Sequence, residues 1–252
     1  MKKISIAIIM LILLGCGPKK EPMNTTGEIN DPDLLFRIAL DLTRKGELKQ
    51  ASAALLKAEE IDSKNSDVKS LLGFVYMQEG ESAKAESKLK ESLEIRPSHT
   101  AYINLAQLYI TMSKWDFAID NANKALEDIM YFTPYEAYNI IGWAYYNKKQ
   151  YDQAKQAFSK ALKTNSSYVL AMLNLALTYV ATNKYDLAKD EYERIINTCG
   201  DNCPGPFLSE FYYRLGMCHL KLKDKKNAKV AFEKSIEIDP TGEFAKLSRQ
   251  KL

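Results

Sequence analysis

The chain has 252 residues, of which 46% are hydrophobic and 27% are charged, close to the average of folded soluble proteins. These values exclude a collagen-like, disordered or polytopic membrane chain. The formal net charge is only +3, which does not favour a surface for nucleic acid. Four Cys and two His, with no four of them at zinc-finger spacing, offer little for a metal site. The composition favours a scaffold or binding protein over an enzyme.

Residues 1–15 have the pattern of a secretory signal. Two lysines precede an apolar run from Ile4 to Leu14, which is shorter than the about 20 residues that a membrane-spanning helix needs. The segment Leu13-Leu14-Gly15-Cys16 resembles a bacterial lipobox, a signal that is cut before a cysteine whose thiol carries a diacylglycerol. The resemblance implies cleavage after residue 15 and lipidation of Cys16, whose acyl chains would hold the protein on a membrane. The alternative is an ordinary signal peptide with an incidental cysteine.

The residue after the predicted lipidated cysteine indicates whether the inner or the outer membrane is expected. It is Gly17, whereas the inner-membrane retention signal of some bacteria has Asp there, so the lipoprotein resemblance implies the outer membrane, facing the periplasm. Residues 16–31 continue as a polar, Pro- and Gly-containing segment with almost nothing apolar to bury, which predicts a flexible tether. A coil of this length reaches about 20 Å, enough for the folded part to stand off the bilayer.

The rest of the chain repeats itself with a period near 34 residues. A small residue starts each predicted second helix; these residues are Ala51, Ala85, Ala118, Ala154, Ala188 and Ala228. Twelve positions earlier lies another small residue; this set is Ala39, Gly73, Ala106, Gly142, Ala176 and Gly216. Small residues let paired helices approach closely, while large residues three and four positions away fill the seam. A fixed period of this length predicts a stack of helical hairpins.

The first helices carry the pattern most clearly. Its clearest copies are Leu72-Gly73-x-x-Tyr76, Leu105-Ala106-x-x-Tyr109, Ile141-Gly142-x-x-Tyr145 and Leu175-Ala176-x-x-Tyr179. They resemble the signature of the tetratricopeptide repeat, and the resemblance covers about residues 32–240. Because one hairpin cannot bury its apolar face alone, six are expected to stack, each against its neighbours. The predicted fold is all-α, a superhelical solenoid of six tetratricopeptide-repeat hairpins.

The predicted repeats have the following boundaries. They span about residues 32–65, 66–98, 99–132, 135–168, 169–198 and 209–240. A cysteine-containing insertion is predicted at 199–208, because the spacing between the last two repeats rises to 40 residues. Residues 241–252 are expected to form a partial capping helix.

Three cysteines follow the predicted lipidation site. Cys199 and Cys203 lie in the insertion, where an oxidising periplasm could join them as a small disulfide ring. A separation of four residues allows the Cα distance of a disulfide without requiring it, so two free thiols stay the alternative. Cys218, in the first helix of the sixth repeat, is interpreted as a small buried hydrophobic residue.

In tetratricopeptide proteins the ligand usually lies along a groove lined by the first helices, at fixed positions of each repeat. The resemblance assigns this groove to a largely apolar set: Phe36, Leu40, Phe74, Met77, Ile103, Gln107, Ile110, Asn139, Trp143, Tyr146, Leu173, Leu177, Tyr213 and Met217. Such a groove fits a hydrophobic or amphipathic helical segment better than the acidic chain ends that some tetratricopeptide domains clamp. For Trp143 and Tyr146, the alternative is that they are additional core.

Few residues of the sequence have the type and spacing of a catalytic site. Two Ser-x-x-Lys strings, at 66–69 and 87–90, have the spacing of penicillin-binding enzymes but lack the accompanying motifs and fall within repeat helices. An enzyme hypothesis needs Cys218 or Ser87 as nucleophile, and no base or oxyanion site is apparent in the sequence. The sequence therefore predicts no catalytic residue, metal ligand, cofactor or small-molecule substrate.

The lipobox, the tether and six tetratricopeptide repeats together resemble the outer-membrane lipoproteins that act as pilotins for type IV pilus secretins. Residues 131–146 are the stretch most similar to that family. The resemblance implies binding of an amphipathic segment of a secretin subunit, and assembly or localisation of the secretin, with the membrane contacted through the N-terminal lipid only. The alternative is a scaffold for outer-membrane β-barrel assembly or for positioning peptidoglycan enzymes, because the fold does not distinguish partners. Stoichiometry and oligomeric state stay open.

Overall fold

The structure, a computed structural model, describes residues 30–200 and 203–252 of the chain. The described residues form thirteen α-helices and no strand. The predicted signal peptide, Cys16 and the predicted tether as far as residue 29 lie outside the described residues. Asp31, the last residue of that predicted tether, caps the first helix through its carboxylate, which accepts the amide hydrogen of Asp33 at 2.9 Å.

Twelve of these helices form six hairpins, each with a first and a second helix. The pairs are α1 (Pro32–Arg44) with α2 (Leu48–Ile61), α3 (Ser66–Gln78) with α4 (Ser82–Ile95), α5 (His99–Thr111) with α6 (Trp115–Leu126), α7 (Pro134–Asn147) with α8 (Tyr151–Thr164), α9 (Val169–Ala181) with α10 (Tyr185–Cys199), and α11 (Gly205–Lys221) with α12 (Lys225–Ile238). The thirteenth helix, α13 (Glu243–Arg249), packs on α11 and α12. This arrangement confirms the predicted all-α solenoid of tetratricopeptide hairpins.

The described helices differ from the sequence prediction at the sixth hairpin. The second helix α10 continues through Cys199, and α11 begins at Gly205, inside the segment predicted as an insertion at 199–208. The insertion is therefore shorter than predicted, because α11 has four more residues at its start than the repeat pattern assigns to it. Pro206 falls in the first turn of α11, where its missing amide hydrogen costs no helical hydrogen bond.

Every described hairpin closes with the same turn between its two helices. One residue in each turn has a positive φ; these residues are Gly46, Gly80, Ser113, Lys149, Asn183 and Lys223. The next residue donates its amide hydrogen to a carbonyl five residues back, as Glu47 N does to Leu42 O at 2.9 Å. This is the Schellman arrangement, which satisfies the last carbonyls of a helix. The repeated turn sets the same geometry in each hairpin.

The two helices of a hairpin touch where the small residues predicted from the period lie. A Cβ added at Gly142 would stand 2.5 Å from Phe158 Cε1, and one at Gly216 would stand 2.6 Å from Phe232 Cε1. Phe158 and Phe232 are almost completely buried. The absence of a side chain on the first helix therefore makes the space that the large residue of the second helix fills.

The helix contacts set the curvature of the solenoid. Successive first helices pack closely against each other from α1 to α9, whereas no two of the described second helices pack as closely. The row of first helices is therefore the inner, concave side of the solenoid. None of the described helices combines the length and the hydrophobicity that a membrane-spanning segment needs.

A cluster of four charged side chains joins the first two hairpins. Lys69 of α3 and Lys88 of α4 each contact both Glu59 of α2 and Glu91 of α4, with 2.8 Å from Lys69 Nζ to Glu91 Oε2. Partial burial opposes ionisation of the carboxylates, but hydrogen bonds from the two lysines lower the pKa of Glu91 to about 2 and also lower the pKa of Glu59. The cluster therefore stabilises this junction only while its carboxylates are ionised.

We expect Gly142→Ala to lower the free energy of unfolding by about 1–3 kcal/mol, because the new methyl group must displace the buried ring of Phe158. Urea unfolding followed by circular dichroism measures this loss. Gly205→Ala is the matched control, since a Cβ there comes no closer than 3.6 Å to Ile238 O. Equal stability of the two variants would contradict the packing argument.

We expect the free energy of unfolding to fall as the pH is lowered from about 5 to about 2, because a carboxylate with a depressed pKa contributes stability that is lost on protonation. Glu91→Gln should reduce the slope of this fall. Urea unfolding at several pH values measures it. Glu94→Gln, at an exposed position of the same helix, should leave the slope unchanged. A Glu91→Gln slope equal to that of the original chain would show that the cluster does not carry the effect.

Candidate binding groove

The concave side brings together most of the residues predicted to line a groove. Eleven of the fourteen are half-buried: Phe36, Leu40, Phe74, Met77, Ile110, Trp143, Tyr146, Leu173, Leu177, Tyr213 and Met217. Gln107 is exposed. Half-buried apolar side chains on a concave surface can be covered by a further segment without rearrangement of the core.

An open cleft of about 560 Å³ forms the N-terminal part of the groove. Phe36 and Leu40 of α1 and Phe74 of α3 line its apolar part. Asp67 and Arg96 stand at its rim as an ion pair, with 2.6 Å between Arg96 Nη2 and Asp67 Oδ1. The cleft therefore combines an apolar floor with a charged edge, which suits a segment with one apolar and one polar face.

Ser70 adds one polar group to the wall of this N-terminal cleft. Its side chain is 6% exposed, and its Oγ atom has no hydrogen-bond partner in the structure. Buried hydroxyl groups are normally hydrogen-bonded, because an unmade bond costs free energy. The Ser70 hydroxyl is enclosed within the wall of the cleft, so it is a buried polar group there and not an exposed contact for a bound segment.

The central part of the groove is aromatic. Trp143 and Tyr146, one turn apart on α7, stack with ring centroids 5.2 Å apart and an angle of 9° between their planes. Both rings also pack against the core of the fourth and fifth hairpins, and burial raises the pKa of the Tyr146 hydroxyl. The two rings therefore lie at the boundary between the core and the concave surface, with one part packed and the other open to solvent.

Two residues predicted to line the groove are buried instead. Ile103 is 9% exposed and packs with Ala106 and Ile141 in the core between α5 and α7. Asn139 is 7% exposed, and its Oδ1 atom accepts a hydrogen bond of 2.9 Å from Asn174 Nδ2 on α9. The prediction was wrong for both, because neighbouring first helices contact each other closely enough to cover these positions.

The sequence analysis did not predict the charged pair Glu210 and Arg214 in the C-terminal part of the groove. Tyr213 and Met217 of α11 are half-buried there, and Arg214 on the same helix donates through Nε to Glu210 Oε1 at 2.7 Å. Nearby Tyr192 is buried, and burial raises the pKa of its hydroxyl. Glu and Arg four residues apart are a helix-pairing pattern that would have found this pair in the sequence. The groove is therefore less apolar at this end than predicted.

The three described cysteines lie in different surroundings. The structure joins Cys199 and Cys203 as a disulfide, with their Cα atoms 5.0 Å apart, between α10 and α11. Cys218 is 2% exposed, and burial raises the pKa of its thiol to about 11. A thiol in this environment is a poor nucleophile, since thiolate is the reactive form.

The lysines of the two Ser-x-x-Lys strings are engaged in ion pairs. Lys69 contacts Glu59 and Glu91, and Lys90 Nζ lies 2.6 Å from Glu86 Oε1. Ser87 donates its own hydroxyl hydrogen to Glu91 at 3.0 Å. These groups stabilise helices rather than form a nucleophile with a free base.

The two histidines stand far apart in the solenoid, each beside one carboxylate. His99 Nδ1 lies 2.6 Å from Asp128 Oδ2, and His219 Nδ1 lies 3.2 Å from Asp224 Oδ2. Among the described residues, no group of three or more His, Cys, Asp or Glu side chains could hold a metal ion. The described surface thus presents a groove for a polypeptide segment as its main candidate site.

Comparisons with known proteins agree with this architecture. Profiles of the tetratricopeptide repeat match residues 135–168, 170–201 and 209–241. The chain is 29% identical over 201 residues to the BBSome complex member BBS4 homolog of Drosophila melanogaster, covering 79% of this chain. It spans only 40% of that relative's length.

Two further similarities are to proteins of the type IV pilus. The chain is 23% identical over 203 residues to the type IV pilus assembly protein PilF of Pseudomonas aeruginosa. The matched region covers 78% of this chain and 81% of PilF. The crystal structure of PilW, a widely conserved type IV pilus biogenesis factor, superposes with a TM-score of 0.78 at 18% identity, covering 86% of this chain and 97% of PilW. The chain therefore contains tetratricopeptide repeats and is similar, at low identity, to type IV pilus assembly proteins.

Proposed function

We propose that this protein is a lipid-anchored scaffold of the outer membrane that binds a secretin subunit of the type IV pilus. In this proposal the protein acts in the periplasm and promotes assembly or localisation of the secretin by binding alone, without chemistry. The observation that carries the proposal is the N-terminal cleft, whose apolar floor is open to solvent along the row of first helices. The similarity to PilF over 81% of that protein's length supports the choice of pilus partner.

The cleft favours an amphipathic segment as the bound part of the secretin. Apolar side chains of such a segment would cover Phe36, Leu40 and Phe74, which are half-buried and face the cleft. Its polar side chains would lie toward Asp67 and Arg96 at the rim. Covering apolar surface supplies the affinity, and the charged rim sets the orientation of the segment.

The membrane part of the proposal rests on the N-terminal sequence. Acylation of Cys16 would fix the chain to the membrane, and the predicted tether would leave the solenoid free to reach a subunit in the periplasm. In this arrangement the lipid supplies the location and the groove supplies the recognition. Each role belongs to a separate part of the chain and can be removed separately.

We expect Phe74→Ser to weaken binding of the secretin by about 2 kcal/mol, roughly thirtyfold, because it removes the largest apolar side chain that the α3 helix contributes to the cleft. In cells that make the pilus, immunoblots should then show fewer secretin multimers and more monomers. Phe36→Ser should act in the same direction.

Phe117→Ser is the matched control, because Phe117 is 59% exposed on a second helix, outside the cleft. Circular dichroism should show that all three variants stay folded. A normal level of multimers with both cleft variants, or an equal loss with Phe117→Ser, would overturn the proposal that the cleft binds the secretin.

A further inference from the structure

The loop between α6 and α7, residues 127–133, exposes three large apolar side chains at its tip. Ile129 is 93% exposed, Phe132 is 79% exposed and Met130 is 58% exposed. Among the exposed large hydrophobic side chains of the described residues, Ile129 and Phe132 have the highest exposed fractions. Single exposed apolar residues are common on proteins, but a contiguous group marks an interaction surface.

The base of this α6–α7 loop is held in place, so the tip is presented in one orientation. Asp128 Oδ2 lies 2.6 Å from His99 Nδ1, and Asp128 Oδ1 accepts the amide hydrogen of Met130 at 2.9 Å. Tyr131 turns inward, where its ring stacks on His99 with centroids 5.1 Å apart. Tyr131 therefore points inward while Met130 and Phe132 on either side of it are exposed. The hydrogen bonds and the ring stacking at the base hold the tip in this exposed position.

The position of the α6–α7 loop relates it to the start of the described chain. All first helices run in the same direction, so the turns that precede them lie along one edge of the solenoid. The α6–α7 loop precedes α7 on this edge, and residue 30 precedes α1 on the same edge. Leu170 and Phe207, at the starts of α9 and α11, are exposed apolar side chains of this edge as well. The segment that holds Cys16 therefore joins the solenoid on the edge that carries the apolar tip.

We propose that the α6–α7 loop inserts Ile129, Met130 and Phe132 into the surface of the lipid bilayer to which the chain is anchored. This inference rests on the proposed lipid anchor at Cys16. A bilayer surface can bury protruding apolar side chains without being shaped to match them, whereas a protein partner must be complementary in shape. Asp128, one of the two acidic residues of the loop, is already paired with His99, which limits the cost of bringing the loop to the interface. The insertion would fix the orientation of the concave groove relative to the membrane.

A fluorescent label at the tip tests this inference in the full chain. Ile129→Cys is labelled with an environment-sensitive dye, and the lipidated protein is reconstituted in vesicles of phosphatidylethanolamine and phosphatidylglycerol. The four original cysteines stay unlabelled, because the thiol of Cys16 carries the lipid in the lipidated protein, Cys199 and Cys203 form a disulfide and Cys218 is 2% exposed. Ser113→Cys, in the exposed turn at the opposite edge, is the matched control.

We expect nitroxide groups on the lipid acyl chains to quench most of the fluorescence at position 129 and to shift its emission to shorter wavelength. The label at position 113 should keep its fluorescence. Adding Met130→Ser and Phe132→Ser to the Ile129→Cys chain should reduce the quenching, since the remaining tip then has less apolar surface to bury.

Vesicle flotation separates failure of this inference from failure of the proposed anchor. Protein that floats with the vesicles while the label at 129 stays unquenched would overturn insertion of the loop and leave the lipid anchor in place. Equal quenching at 129 and 113 would overturn it too, because the dye alone would then explain the contact. A blue shift at 129 without quenching by the lipids would assign the tip to a protein surface instead. Protein that does not float would overturn the anchor and the insertion together.

Discussion

The close approach of the two helices in each hairpin is the constraint on which the rest of the structure depends. Gly142 and Gly216 on first helices leave no room for a Cβ, and the rings of Phe158 and Phe232 occupy that space. A hairpin packed this way still has apolar surface on its outer sides, which only the next hairpin can cover. The stack, its curvature and the row of first helices on its concave side all follow from that need.

The same packing explains why the concave groove contains half-buried aromatic residues. A first helix contacts its own second helix, its neighbours in the row and the preceding second helix, so it is apolar over most of its circumference. Trp143 and Tyr146 are only partly covered by these contacts, so one part of each ring packs in the core and the other part is exposed on the concave side. A partly apolar concave surface thus arises from the stacking itself, and charged residues lie at both ends of it.

The helical hairpins, which depend on the repeat period, could be predicted from the sequence. The contacts between neighbouring repeats could not. Small residues at a fixed spacing are enough to predict the hairpins, because the two helices of a hairpin can approach closely only where such residues lie. The burial of Ile103 and the hydrogen bond between Asn139 and Asn174 depend on the distance between successive first helices. That distance cannot be predicted from the place of a residue within its own repeat. The exposure of Ile129 likewise depends on Asp128 and His99 meeting across 29 residues of chain.

The central claim is that the concave side of this solenoid holds a segment of a secretin subunit. Photo-crosslinking in cells that make the pilus, from a photoreactive residue in place of Leu40, tests it most directly, because this side chain lines the N-terminal cleft. Mass spectrometry of the captured species should identify a secretin subunit and the segment that docks. Capture of a β-barrel assembly or cell-wall protein instead, or no capture by a folded protein, would contradict the account.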